Sequence, residues 1–239
     1  MNQPIDCELS FIVPAYNEAR LIGETLDAIR AAAIQVGQSY EIIVVDDAST
    51  DATATIARAH GARVLPVNNR NIGRTRNDGA RAARGRYLFF VDADTSVNHG
   101  VLRAAVHRLH AGDVGGGAVF RWDDPHRGLG RAIEFVVATV LRRLRLASGC
   151  FVYARRNAFE AVGGFDPSLL ASEEWTLSRA LGRLGRFDVL AEHVITSNRK
   201  LVALRLRDVL RLGARAALRG PRALRERSFT GIWYSDPPR

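Results

Sequence analysis

The sequence predicts an α/β fold with a mainly parallel central sheet flanked by helices. Two observations carry this expectation. Short β-branched or aromatic runs of strand length recur through the first half, at Leu9–Val13, Glu41–Val45, Arg63–Val67 and Tyr87–Val91. Between them stand longer stretches rich in Ala, Leu and Arg, at Glu18–Val36, Asp51–His60 and Asn71–Arg84. Strand–helix alternation of this kind builds parallel strands whose crossovers cover both faces of the sheet.

The element boundaries have local causes. Asp51 and Asn71 stand where helix N-caps belong, and Gly61 and Gly85 where helices stop. Beyond Asp94 the pattern loosens. Val97–His110 reads as a helix, and Gly115-Gly116-Gly117 leads into a strand at Ala118–Trp122. Arg131–Leu146 reads as a helix with a basic end, Phe151–Ala154 as a short strand and Leu170–Leu184 as a helix. Leu201–Arg227 mixes Leu, Ala and Arg at helical spacings, interrupted near Gly220-Pro221. There is no internal repeat.

Composition narrows the class. The 239 residues, 47% hydrophobic, suit one large domain or a domain with a tail. Cys7 and Cys150 lack a CxxC or His partner, so they are expected reduced, buried and structural rather than zinc-binding or bridged. The short acidic start, Met1–Glu8, is unlike a signal peptide, and the run Phe135–Leu141 is far below the ~20 residues of a membrane span. The expectation is a cytoplasmic protein. Of the formal charge of +9, +8 lies in residues 199–239, where eleven Lys and Arg face three acids.

The chemistry gathers at strand ends. Ligands of open parallel sheets bind beyond the carboxyl ends of the strands. Three of the runs end in polar clusters: Pro14-Ala15-Tyr16-Asn17-Glu18, Asp46-Asp47-Ala48-Ser49 and Asp92-Ala93-Asp94. One Asp after a strand can be a mere turn residue. Three such clusters on one sheet edge suit a hard divalent cation, Mg²⁺ or Mn²⁺, held by one or two carboxylates together with substrate phosphates.

The ordered set resembles glycosyltransferase family 2, with its GT-A fold. The resemblance rests on those three clusters, on Asn71-x-Gly73-x-x-Arg76-Asn77-x-Gly79 between the second and third, and on Gly163-Gly164-Phe165-Asp166 and Glu173-Glu174 later. It covers roughly residues 8 to 190. The resemblance implies an inverting transferase that moves a sugar from a nucleotide-diphosphate donor, UDP rather than GDP by family frequency. The acceptor is a hydroxyl or phosphate, lipid-linked acceptors included. It divides the chain into a catalytic domain, 1–198, with a donor half (1–95) and an acceptor half (96–198), and a basic amphipathic extension, 199–239.

Carried over position by position, the resemblance implies that Pro14, Tyr16 and Glu18 line the nucleotide pocket, with Tyr16 against the base. Asp47 would bond the base or ribose, Asp46 would support that turn, and Arg76 would face the donor's phosphates or sugar. Asp92 would contact ribose or sugar and stand near the metal, and Asp94 would bind it. His193 is a further candidate metal ligand after the last strand, and Arg199 with Lys200 are candidate diphosphate contacts. Simple packing for Tyr16 and a solvated helix face for Arg76 are the plain alternatives.

Direct displacement at an anomeric carbon needs a base for the acceptor hydroxyl. Glu174 aligns with the family's catalytic Asp but is one methylene longer, which leaves Glu173 as a second candidate. Two glutamates opening a helix can also serve its dipole alone.

The tail suggests a second partner. Arg205, Arg207, Arg211, Arg215 and Arg219 interleave with leucines, a pattern suited to the inner face of an anionic membrane or to packing on the catalytic domain. No nucleic-acid partner is expected, because stacking aromatics are sparse among these basic residues. Two other functional classes fit the residues less well. A nucleotidyltransferase would carry a Gly-rich basic loop where Pro14–Glu18 stands, and a non-catalytic binding module would not need all the acidic clusters.

Overall fold

The computed structural model describes residues 7–123, 129–169 and 172–198. Arg199, Lys200 and the basic extension lie outside the described residues. One eight-stranded sheet runs through both halves of the chain, in the order β3-β2-β1-β4-β7-β6-β8-β5. The strands are β1 (Leu9–Ala15), β2 (Tyr40–Asp47), β3 (Arg63–Val67), β4 (Tyr87–Val91), β5 (Thr95–Ser96), β6 (Gly115–Trp122), β7 (Phe151–Arg155) and β8 (Phe187–Thr196). The helices are α1 (Ile22–Val36), α2 (Thr53–Ala59), α3 (Ile72–Ala82), α4 (His99–His110), α5 (Leu129–Leu144), α6 (Arg156–Ala161) and α7 (Glu173–Leu184).

β1 to β4 are all parallel, as the alternation predicts. The second half mixes directions. β7 is antiparallel to β4 and β6, β8 is parallel to β6, and β5 is antiparallel to β8. The sheet as a whole is therefore mixed, with most of its pairings parallel as expected. The first half steps from β1 outward to β2 and β3, then returns to place β4 on the other side of β1. The carboxyl ends of β1 and β4 thus flank the switch point where such sheets open a crevice.

Two apolar layers cover the sheet. Leu9, Phe11 and Val13 meet Ile22, Leu26 and Ile29 of α1 and Val101 and Leu102 of α4. On the other face Ile12, Ile43 and Val45 meet Ala80, Phe159, Phe165 and Leu177. Burial on both faces explains why these strands read as continuous apolar runs.

α3 lies especially close to the sheet because Gly79 has no side chain. A Cβ there would overlap Ile12 Cγ2 and stand 2.8 Å from Val45 Cγ2. Its start is set by Asn71, whose side chain accepts from the Arg74 N–H at 2.8 Å.

Several boundaries differ from expectation for local reasons. α1 begins at Ile22 because the Glu18 carbonyl accepts from the N–H groups of Leu21 and Ile22, which closes a turn first. Asp51 accepts from the Thr53 N–H at 2.9 Å but sits one residue before the N-cap of α2. Gly85 is not a helix stop, since α3 already ends at Ala82. It lies against β1, where an added Cβ would stand 2.7 Å from the Ser10 nitrogen. The three glycines 115–117 belong to β6 itself. A side chain at Gly115 would meet the Tyr153 carbonyl, and one at Gly117 would reach 2.6 Å from Ala147 Cβ. β5, β8 and α6 carry no clear pattern in the sequence. β8 is mixed in polarity and shifts register against β6 between Ala118 and Val119. Of the two cysteines, both are free, but only Cys150 is buried, and Cys7 is half-buried.

Candidate active site

The site forms where the loops after β1, β2 and β4 meet the start of α7. The first two loops are stitched together. Asn17, at φ 52°, donates its N–H to Ser49 Oγ at 3.0 Å and accepts from the Thr50 N–H at 2.8 Å. The Glu18 N–H donates to Thr53 Oγ1 at 2.8 Å, and Glu18 itself is buried. Pro14 is buried within β1, opposite Val45. Tyr16 is half-buried, and the Arg70 guanidinium lies 4.5 Å above its ring.

The two aspartates ending β2 point to opposite faces, as successive strand residues must. Asp47 is turned inward, where it accepts from the Asn69 N–H at 2.6 Å, the Arg70 N–H at 3.1 Å and Thr75 Oγ1 at 3.1 Å. It thereby ties the segment before α3 to the sheet. Asp46 is also buried, yet among the described residues its Oδ1 has no hydrogen-bond partner. A buried carboxylate oxygen without a donor is costly unless a ligand supplies one.

Arg76 lies at the centre. One turn before Gly79 on α3, it is 1% exposed rather than on a solvated face. Its Nη1 donates to Glu173 Oε1 at 2.6 Å, and its Nη2 to Asp92 Oδ1 at 2.7 Å and to the Gly149 carbonyl at 2.8 Å. Burial opposes the charge, but Asp92, Glu173 and Glu174 outweigh it and hold the guanidinium protonated. One cation therefore joins the Asp92 loop to the start of α7.

Asp92-Ala93-Asp94 closes a tight turn, with the Thr95 N–H donating to the Asp92 carbonyl at 3.1 Å. Ala93 is buried and its carbonyl accepts from Thr25 Oγ1 at 2.9 Å, whereas Asp92 and Asp94 remain half-exposed. The Asp92 N–H donates to the Cys150 carbonyl at 3.2 Å. The Cys150 thiol is pushed up to about 12, mainly by burial, with a further contribution from Asp92 and Asp94.

Glu173 and Glu174 differ sharply. Glu173 is 3% exposed and committed to Arg76. Glu174 is half-buried, and a side chain built on Gly149 would begin 3.7 Å from its carboxyl carbon. Burial first, and then the negative charge of Glu173, push the Glu174 carboxyl up to about 8 against the opposing pull of Arg76. Gly163 and Gly164, at φ 80° and 75°, form a turn after α6. This turn docks on α3, where Asn77 Oδ1 accepts from the Phe165 N–H at 3.0 Å and Asn77 Nδ2 donates to its carbonyl at 2.8 Å.

The structure does not unite all the expected metal ligands. His193 lies inside β8 rather than after the last strand, with its carbonyl accepting from Asn98 Nδ2 at 2.8 Å. Its imidazole pKa is lowered by burial and by Arg121, with Glu134 opposing. The residue beside Asp94 is Ser197, whose N–H donates to the Asp94 carbonyl at 3.1 Å. Among the described residues, no group of three His, Cys, Asp or Glu side chains could hold a metal ion.

The contributions of Gly149, Thr75 and Asn69 were not legible from the sequence. Gly149 contributes a backbone carbonyl, which leaves no trace in residue type. Thr75 shares α3 with Arg76 and could have been found by helical spacing.

Over 100 residues, the chain is 44% identical to dolichyl-phosphate beta-glucosyltransferase of Drosophila melanogaster, covering 36% of this chain and 31% of that protein. The first curated relatives are matched over about a third of their length or less. The fold is shared with the mannosyltransferase PcManGT of Pyrobaculum calidifontis, in complex with GDP-Man and Mn²⁺. Its TM-score is 0.69 at 23% identity, over 97% of this chain and 66% of that one. It is shared also with Staphylococcus aureus TarS in complex with UDP-GlcNAc, at TM-score 0.65 and 20% identity, over 83% of this chain and 62% of that one. The family model described as glycosyl transferase family 2 matches residues 10–163, more than half of the chain, and the chain therefore belongs to that family.

Proposed function

We propose that this chain transfers a sugar from a nucleotide-diphosphate sugar to an acceptor hydroxyl or phosphate, with inversion at the anomeric carbon. The observation that carries the reading is the double ion pair of Arg76, which holds Asp92 and the Glu173-Glu174 pair on one floor. A donor-side carboxylate and a base candidate are thereby kept in fixed relation.

In this reading the nucleotide lies over the ends of β1 and β2, against Tyr16, with Pro14 and Glu18 shaping the wall. Asp46, whose buried Oδ1 meets no donor among the described residues, accepts from the nucleotide, while Asp47 holds the loop around it. Arg76 acts through Asp92 and Glu173 rather than by touching phosphate. A Mg²⁺ or Mn²⁺ ion held by Asp92 and Asp94 would offset the negative charge gathering on the leaving diphosphate.

Glu174 is the base in this proposal. Its carboxylate takes the proton of the acceptor O–H, the acceptor oxygen bonds to the anomeric carbon, and the bond to the diphosphate breaks with its electron pair. Glu173 is less suited, because its carboxylate already neutralises a buried cation. A UDP donor is favoured over GDP. A lipid-linked acceptor is supported by the relative named for dolichyl phosphate. The extension 199–239, with Arg199 at its start, would serve diphosphate or membrane contact.

The test is a screen of nucleotide-sugars for Mn²⁺-dependent thermal stabilisation, followed by donor hydrolysis. Asp94→Asn should lose the metal-dependent stabilisation, and Glu174→Gln should keep donor binding and lose transfer. Indifference to every nucleotide diphosphate with metal would overturn the proposal.

A further inference from the structure

Of the buried residues of α1, Ile22, Thr25, Leu26, Ile29, Ala32 and Ala33, only Thr25 is polar. It is 3% exposed. A helical threonine ordinarily returns its hydroxyl to the carbonyl one turn back. Here the Leu21 carbonyl accepts from the Thr25 N–H at 3.1 Å, while Thr25 Oγ1 reaches across 68 positions to the Ala93 carbonyl at 2.9 Å. A valine would fill the same space without a buried hydroxyl to satisfy, so packing alone does not call for threonine.

The Ala93 carbonyl is the middle of the Asp92-Ala93-Asp94 turn. The flanks of that turn are held from α3 and from the second half of the chain, by Arg76 on the Asp92 carboxylate, by the Cys150 carbonyl and by the Ser197 N–H. Thr25 grips it from the opposite side. The start of α1 is itself locked to the loops after β1 and β2. The Glu18 carbonyl accepts from the Leu21 and Ile22 N–H groups at 3.0 Å, and the Ala19 N–H donates to Asp51 Oδ2 at 3.1 Å. One hydroxyl therefore sets how the aspartate turn stands relative to those two loops.

We infer that Thr25 is a positioning residue that fixes the Asp92-Ala93-Asp94 turn against the loops after β1 and β2, for a ligand that spans both. This rests on the proposed function, in which a nucleoside diphosphate reaches from the Tyr16 cluster to that turn. Thr25 touches no ligand and no reacting atom. It removes a freedom of the turn that the diphosphate would otherwise have to quench on binding.

The test compares Thr25→Val, which keeps the shape and removes the hydroxyl, with Thr25→Ser, which keeps the hydroxyl and removes a methyl. Both variants should melt earlier than the unmodified chain, the first by depriving the buried Ala93 carbonyl of this donor, the second by opening a small cavity. Only Thr25→Val should weaken UDP binding, by about fivefold or more in calorimetry with Mn²⁺ present. UMP, which has no second phosphate to reach the turn, should bind all three chains alike. Without ligand, hydrogen exchange over residues 92–97 should quicken in Thr25→Val and stay as in the unmodified chain in Thr25→Ser. If the unmodified chain takes GDP in place of UDP, the same comparison is made with GDP and GMP. Unchanged diphosphate affinity or unchanged exchange in Thr25→Val would overturn the inference and leave the donor reading standing. So would equal losses for the mono- and diphosphate, or a loss in both variants that follows their melting temperatures. An unmodified chain that binds neither UDP nor GDP would overturn the donor reading, and the role of Thr25 with it.

Discussion

Arg76 and Glu173, ninety-seven positions apart in sequence, form a 2.6 Å ion pair with both side chains almost wholly removed from water. Such a pair is weak evidence for stability, since desolvation offsets much of the attraction. Its value here is positional. The same guanidinium holds Asp92 and the Gly149 carbonyl, so α3, the Asp92 turn, the segment before β7 and the start of α7 share one anchor.

Removing half of that anchor should be far worse than removing both halves. Arg76→Met leaves Glu173 buried without its cation and is expected to cost about 3–5 kcal/mol. Arg76→Met/Glu173→Met should recover most of that loss in urea denaturation. Activity should not return in the double variant, because Asp92 has lost its tether.

The raised Glu174 carboxyl has a stability consequence with a definite sign. The folded chain holds this proton between 4.5 and about 8, where the unfolded chain has released it. Stability from this group is therefore present at low pH and declines as pH rises through that window. Glu174→Gln does not titrate, so its thermal midpoint should gain on the unmodified chain from pH 5 to pH 8. Each 1 kcal/mol gained would appear as about 2–4 °C in a scanning melt.

The same group shapes the rate profile. If Glu174 is the base, kcat/KM should rise with pH on a limb near its free-enzyme value, about 8. Glu173→Gln removes a neighbouring negative charge and should move that limb toward lower pH. A limb that stays in place would separate the two glutamates and remove Glu174 from the role.

Gly79 tests whether the approach of α3 matters to the site. Gly79→Ala places a methyl against Ile12 and Val45 and should cost about 1–3 kcal/mol through overpacking. Because Arg76 is on the same face one turn earlier, the transfer rate should fall more than donor affinity does. Ala80→Gly, beside it on α3, loosens the helix without pushing it outward and should leave the rate nearly intact.

Much of the donor half is written locally. β1 to β4 are apolar runs because both their faces are covered, and Asn71 caps α3 through its own side chain. The acidic clusters announce themselves because parallel strands must release their chains at one edge of the sheet. β5 and β8 are not legible in the sequence because their pairing is long-range, Thr95 with Thr196, and no short window carries it.

From its residues alone, the chain specifies parallel strands, their caps and an acidic edge, because hydrophobic period and turn chemistry act over a few residues. The tertiary structure alone decides that Asp47 faces inward while Asp46 keeps an oxygen that meets no donor among the described residues, and that Arg76 is buried between Asp92 and Glu173. It also sets His193 within β8, beside Asn98. These outcomes depend on which face of an element meets its neighbour and on charges brought together from distant segments. The cost of burying Arg76 is met only when Asp92, Gly149 and Glu173 arrive from separate segments of the chain.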